Sequence, residues 1–379
     1  MRSVVLALAA LTALALPADA QLGKITEGLQ KAKEVKDKVD DLVFTDAEEQ
    51  ELGAKVSGML REKYGVVQDK AVHKYVALVG TALAQSSSRP SLHWTFIVLD
   101  TDGVNAFAAP GGFVHITRGA LALAQNEAEL ADVLGHEISH ITGKHTIKAI
   151  QKGKLVQAGA DSTRNALLGA FADKAYEMVL ENAFDRGEEM DADKNGVALA
   201  NTVGYAPTGL GAFLTRLADR NKDLKDRSGL FASHPDTKAR LDGLAKVITS
   251  DKLAATATVA PRFHQAILYK PVPVSQIATA ISGSAGLTGG KDDGKGNGKG
   301  DNKSDKAEPK AADPKPAGGK FGLSGLNPLG KEKASNQTVS SAGSRGVNPD
   351  RDATGGANSA LVVVTLTAAE IADFRKGIV

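Results

Sequence analysis

His136 and His140 stand four residues apart in Gly135-His136-Glu137-Ile138-Ser139-His140. On a helix, positions i and i+4 share a face and lie one turn apart. The two imidazoles therefore converge on one point, the geometry of two zinc ligands, and Glu137 sits beside them where a general base for an attacking water belongs. A catalytic zinc takes three protein ligands and keeps a position open, so a third ligand must follow. One solution is a His six residues after the second. Gly143 matches the glycine of that longer pattern, but Thr146 occupies the place due for His. His145, one residue early, points away from His136 and His140 on a continuing helix. The other solution is a Glu on a later helix with an Asp four residues on. Arg186-Gly187-Glu188-Glu189-Met190-Asp191-Ala192-Asp193 fits it. Glu189 reaches the metal, and Asp193 accepts a hydrogen bond from the outer nitrogen of a ligating His. Read alone, this acidic run is an ordinary solvated helix face; the upstream His pair favours the ligand reading. A further element is Phe231-Ala232-Ser233-His234-Pro235, with Arg240 beyond. Pro235 suits a first helical turn and holds His234 extended. His234 then points into the cleft, to stabilise a developing oxyanion or to fill the fourth zinc position.

These side chains need elements to hold them. Asn126 and Glu129 form a capping-box pattern, and Leu130, Val133, Leu134, Ile138 and Ile141 make an apolar stripe at helical spacing. The spacing predicts a helix that buries one face and offers the two histidines on another. Thr45 with Glu48 opens an earlier helix running to about Lys63. Trp94 to Leu99 alternates as a strand, Val114 to Thr117 is a second strand, and the remainder to Ser250 is mostly helical. Arg262 to Lys270 reads as a strand. Residues 282–357 are dominated by Gly, Lys, Asp, Ser, Pro and Ala; they bury too little apolar surface to offset chain entropy, which predicts a disordered linker. Leu361 to Leu366 is strongly β, and Thr367 with Glu370 opens a last helix through Phe374. The Leu361 strand is expected to pair with the Arg262 strand in a small accessory unit.

Four segments in series resemble the HtpX/BepA/CAAX-prenyl-protease family of zinc metallopeptidases, within the glutamate-ligand zincins. They are Asn105-Ala106-Phe107 running into Pro110 to Gly119; the H-E-x-x-H segment with His145 after it; Arg186, Glu189, Ala192 and Asp193 with Gly196; and Ser233-His234-Pro235 with Arg240. Together they span about residues 45–245. The resemblance implies an α+β, mainly helical, zincin-like domain with a small sheet whose edge strand lines the active-site cleft. It implies zinc-dependent endoproteolysis with one zinc per chain on His136, His140 and Glu189, Glu137 as base, and His234 as a regulatory or transition-state residue. It also implies that the strand around Gly112, Phe113 and Val114 stands at the sheet edge and pairs with an extended substrate, with Asn105 holding the substrate backbone. The chain departs from relatives in lacking further transmembrane runs and a recognisable array of helical repeats.

Composition bounds the rest. The 379 residues carry a net charge of +2 and no Cys. That points away from nucleic acid and excludes disulfides, thiolate ligands and a lipoprotein anchor. Residues 1–20 read as a signal peptide: Arg2, an apolar run from Val4 to Leu16, and Ala18-Asp19-Ala20 as a cleavage site. The layout is then a signal peptide (1–20), a charged arm (21–44), the metallopeptidase domain (45–250), an accessory segment (251–281), the linker (282–357) and a C-terminal strand-helix (358–379). The expected location is the periplasm, with secretion as the alternative, and no transmembrane segment after cleavage. The expected partners are unfolded or extended protein substrates and, by analogy, outer-membrane assembly components. The competing reading is a catalytically restrained, chaperone-like binding protein using the same cleft.

Overall fold

The computed structural model describes residues 44–152, 164–181, 184–221, 237–274 and 358–378, with short pieces at 277, 279–280 and 337–338. The expected signal peptide, most of the expected charged arm, Ser233-His234-Pro235 and nearly all of the span expected to be a linker lie outside the described residues. The chain opens with α1 (Asp46–Tyr64) and α2 (Lys70–Ala84), then β1 (Thr95–Leu99), β2 (Ala106–Ala109) and β3 (Phe113–Thr117). Helices α3 (Arg118–Leu123), α4 (Glu127–Thr142), α5 (His145–Lys152), α6 (Arg164–Glu181), α7 (Arg186–Val203), α8 (Gly209–Asn221), α9 (Thr237–Ser250), α10 (Ala260–Ala266) and α11 (Ala368–Lys376) follow. Local signals set several of these starts. The Thr45 hydroxyl accepts from Glu48 N–H while the Glu48 carboxylate takes the Thr45 N–H, a complete capping box. At α4, Asn126 Oδ1 accepts from Glu129 N–H, but the Glu129 carboxylate takes the Gln125 N–H and the Arg216 guanidinium instead of closing the box.

The sheet separates two helical layers. Phe96, Val98, Ala106, Ala108, Val114 and Ile116 pack into one core with α2, α4 and α8, while Ile97, Leu99, Phe107 and Ala109 pack into another with α1 and α6. Successive strand residues point to opposite faces, and both faces are covered, so nearly every strand residue is buried. The result is the mainly helical α+β fold with a small sheet.

The strand order corrects one expectation. It is β1-β3-β2, with β3 parallel to β1 (Phe96 opposite Val114) and antiparallel to β2 (Phe107 opposite His115). The strand carrying Phe113 and Val114 is therefore central, and ladders on both sides occupy its backbone. The free side of β1 is itself covered, because Val67 N–H donates to Val98 O and Asp100 N–H to Gly65 O. The strand at the sheet's edge, and the one in most extensive contact with α4, is β2. Thr117 N–H donates to Asn105 O. Antiparallel pairs alternate between bonded and non-bonded, so Ala106 and Ala108 turn their backbone groups to the outer edge.

The C-terminal region brings two further corrections. Residues Ala260–Ala266 are a helix, not a strand, with Pro261 in its first turn, where a fixed φ favours helix and the missing N–H costs nothing. Leu361 to Leu366 is extended but joins no ladder. Its approach lies beside the end of α1: Arg61 Nη1 donates to Ser359 O (2.6 Å), Val66 N–H to Asn358 O (2.6 Å) and Gln68 Nε2 to Ala360 O (3.1 Å). The helix Ala260–Ala266 meets α11 instead, Arg262 stacking on the Phe374 ring at 3.9 Å.

Candidate metal centre and active site

Helices α4 and α7 pack unusually close because Gly135 and Gly196 face each other. A Cβ on Gly135 would lie 2.7 Å from Gly196 O, and one on Gly196 would lie 2.6 Å from His136 N. That approach carries the His pair of α4 to the first turns of α7, whose start is fixed by a capping box between Asp185 and Glu188. His136 Nε2 and His140 Nε2 stand 3.0 Å apart. Glu189 Oε2 is 3.7 Å from the first, and its Oε1 is 3.4 Å from the second. All three side chains are buried, and the ligand atoms lie within 4.8 Å of one another.

The outer partners decide what these atoms offer. His136 Nδ1 lies 2.9 Å from Asp193 Oδ1; a proton on Nδ1 serves that contact and leaves the lone pair on Nε2. Asp193 is gripped in turn by Arg240, Nε to Oδ2 at 2.8 Å and Nη2 to Oδ1 at 2.6 Å, and Arg240 Nη1 lies 3.5 Å from Glu189 Oε2. Burial alone would raise the Asp193 carboxyl; the Arg240 guanidinium and the His136 bond outweigh it and hold it down at about 2. Burial pushes His136 down to about 3 against the pull of Asp193, so the imidazole is neutral, the form a metal ligand needs. The carboxylates in the field of Arg240 are Asp193, Glu189 and Glu137. Three formal negative charges against one guanidinium leave a surplus of two, which suits a dication. Two imidazoles and a carboxylate are also the donor set of a catalytic zinc. On donor chemistry, spacing and charge, the residues fit a divalent metal ion.

His145 departs from the sequence expectation. α4 does not continue; it stops at Thr142, and Lys144 takes a left-handed φ of 55°. The turn folds His145 back, and its Nδ1 lies 2.9 Å from His140 Nδ1. It is not in the ligand cluster. Phe184 stacks on His140 with ring centroids 4.1 Å apart, closing the other side. Glu137 is buried at 1% exposure on the same turn as the ligands. Asn105 precedes β2, its side-chain oxygen accepting from Ala106 N–H at 2.9 Å. Gly112 ends the tight turn between β2 and β3, Phe113 is half-buried at the start of β3, and Val114 is buried on the face toward α2 and α4. His234 lies outside the described residues. Arg240 and His145 were visible in the sequence, but their contacts were not: Asp193 is 47 residues from Arg240, and the left-handed residue of the turn is Lys144 rather than the glycine beside it, Gly143.

Known proteins are similar to this chain in sequence. The chain is 26% identical over 197 residues to the beta-barrel assembly-enhancing protease of Yersinia pestis, covering 48% of this chain and 40% of that one. It is 25% identical over 209 residues to the protein of that name in Escherichia coli, covering 51% and 42%. To the mitochondrial metalloendopeptidase OMA1 of Arabidopsis thaliana it is 25% identical over 181 residues, covering 48% and 37%. The chain thus spans about two fifths of the length of these curated relatives. Residues 70–248 match peptidase family M48. That span runs from the start of α2 into α9 and encloses every residue of the metal cluster and its outer partners. Residues 70–248 are therefore a peptidase family M48 domain.

Proposed function

We propose that the chain is a zinc-dependent endopeptidase with His136, His140 and Glu189 as ligands and Glu137 as general base. The observation that carries this reading is the buried cluster of those three ligand atoms, with Glu137 on the same helical turn. Zinc, when bound, supplies a Lewis acid that lowers the pKa of water toward about 7 and polarises a scissile carbonyl. Glu137 takes the proton of the attacking water and delivers it to the leaving amine. Asp193, held by Arg240, keeps the His136 proton on Nδ1 and so keeps Nε2 free for the metal. His234 is the candidate for oxyanion stabilisation or for a resting plug. The substrate is an extended or unfolded polypeptide that adds to the outer edge of β2, where Ala106 and Ala108 turn their backbone groups outward. Asn105, Gly112 and Phe113, at the two ends of β2 and the turn after it, flank that track.

The apolar start with its small-residue cleavage pattern, and relatives named for β-barrel assembly, support work in the periplasm on envelope proteins. Among the described residues, no helix is long and apolar enough to cross a membrane. The test is hydrolysis of casein by the purified chain with and without chelator, beside Glu137→Gln. The wild type should cleave casein in a chelator-sensitive way, and Glu137→Gln should keep zinc while losing at least about 100-fold in rate. Full activity in Glu137→Gln removes it as base. A zinc-loaded wild type that binds casein without cutting it supports the restrained binding protein instead.

A further inference from the structure

We propose that His145 is the positioning residue of His140: it accepts the proton on His140 Nδ1 and so turns the Nε2 lone pair of His140 toward His136 and Glu189. This rests on the zinc reading above. The argument begins at the backbone. α4 closes with Gly143 N–H donating to Ser139 O at 2.8 Å and Lys144 N–H to Ile141 O at 3.1 Å. Lys144 then takes its left-handed φ, which a non-glycine residue adopts only when its surroundings impose it. The surroundings are on the page. Lys144 Nζ meets Glu49 Oε1 at 2.5 Å; Glu49 is buried at 1% exposure. Arg89 Nη1 donates both to Glu49 Oε2 (2.8 Å) and to Ile141 O (3.2 Å). The first turn of α1 and the loop after α2 therefore clamp the end of α4 and force the turn that delivers His145.

The outcome at the rings is specific. His145 Nδ1 and His140 Nδ1 are 2.9 Å apart, so one of them carries a proton and the other accepts it. His140 Nε2 faces His136 Nε2 and Glu189 Oε1. A neutral imidazole holds one N–H. With Nε2 given to the metal, the proton of His140 sits on Nδ1, and His145 Nδ1 is the acceptor. The rings meet edge-on at 85°, and Phe184 stacks against His140 and meets the edge of His145 at 6.2 Å, so neither imidazole is free to swing. The two ligating histidines are thus oriented by unlike partners, His136 by the Asp193 carboxylate and His140 by a neutral imidazole that adds no charge to the site.

The test separates this role from packing. His145→Phe keeps a ring against Phe184 and removes the acceptor; His145→Asn offers a side-chain oxygen near the place of Nδ1. On the full chain, zinc affinity is measured by competition with a chelator of known strength, with circular dichroism of each variant. The expected result is zinc binding weakened about 10- to 100-fold in His145→Phe and restored to within about threefold of wild type in His145→Asn. Equal loss in both variants, or wild-type affinity in His145→Phe, overturns the proposal. Should His145→Phe not fold, nitrogen-15 NMR of the zinc-loaded wild type decides. A proton on His140 Nδ1 is the expected result, and one on Nε2 overturns the role. A wild-type chain that takes up no zinc fails the parent reading itself, and the His145 role with it.

Discussion

Arg240 is a guanidinium buried to 3% exposure, and it survives there because Asp193 meets it with both carboxylate oxygens. A planar fork matched to a carboxylate is geometry that lysine cannot copy. Arg240→Lys keeps the charge but loses the two-pronged grip, leaving Asp193 free to rotate off His136 Nδ1. The expected outcome is about tenfold weaker zinc binding, because an outer partner of a ligand contributes on that order, read by chelator competition. Arg240→Met goes further and leaves Asp193 buried without its cation, which should destabilise the fold by about 3–5 kcal/mol in urea unfolding. Unchanged zinc affinity in Arg240→Lys would show that His136 is held by something other than the Arg240–Asp193 pair.

The central position of β3 puts His115 in the middle of the molecule, its Nε2 2.9 Å from Ser57 Oγ on α1. Burial pushes this imidazole down to about 3, although a bond to the Phe107 backbone pulls the other way. Between about pH 6.5 and 3 the unfolded chain therefore binds a proton at His115 that the folded chain refuses. Stability from this residue is full above pH 6.5 and falls as the pH drops, by about 1.4 kcal/mol per pH unit. His115→Gln should flatten the decline measured by urea midpoints between pH 7 and 4; an unchanged slope would place the acid sensitivity elsewhere. The same strand shows where sequence reasoning stops. The capping boxes at Thr45 and Thr367, the stripe of α4, and the cluster of His136, His140 and Glu189 are legible because their signals repeat within one or two helical turns. The short run Ala106-Phe107-Ala108-Ala109 has no β-rich alternation to announce it, so β2 is invisible in the sequence and β3 looks like an edge. Pairing is a non-local choice, and only the folded sheet shows that the outward backbone belongs to Ala106 and Ala108.

Across the whole molecule, one carboxylate ties the C-terminal segment to α4. Glu127, in the first turn of α4 and fully buried, accepts from Tyr75 Oη at 2.7 Å, Tyr205 Oη at 2.6 Å and Arg262 Nε at 2.7 Å. Its own N–H donates to Thr258 O at 3.0 Å. Burial and the Glu127 charge push both tyrosine hydroxyls far above the usual range, so they remain donors. Arg262 spans the gap: its other face stacks on the Phe374 ring, and Nη1 donates to Phe374 O at 3.0 Å. Helices α2, α4, α10 and α11 thus share one polar centre. The entropic cost of bringing two segments together grows only logarithmically with the length of chain between them, so contacts of this size can hold the C-terminal segment in place. If the centre is one unit, Arg262→Ala and Phe374→Ala must not add. Arg262→Ala alone leaves Glu127 buried with no cation and should cost about 3–5 kcal/mol. A double-mutant cycle by urea unfolding of the full chain should return a coupling of about 1–3 kcal/mol. Additive losses would mean that α11 sits on α2 only through Ile371, the Phe374 ring and the exposed Lys74–Glu370 pair, and that nothing passes from α11 to the helix bearing His136 and His140.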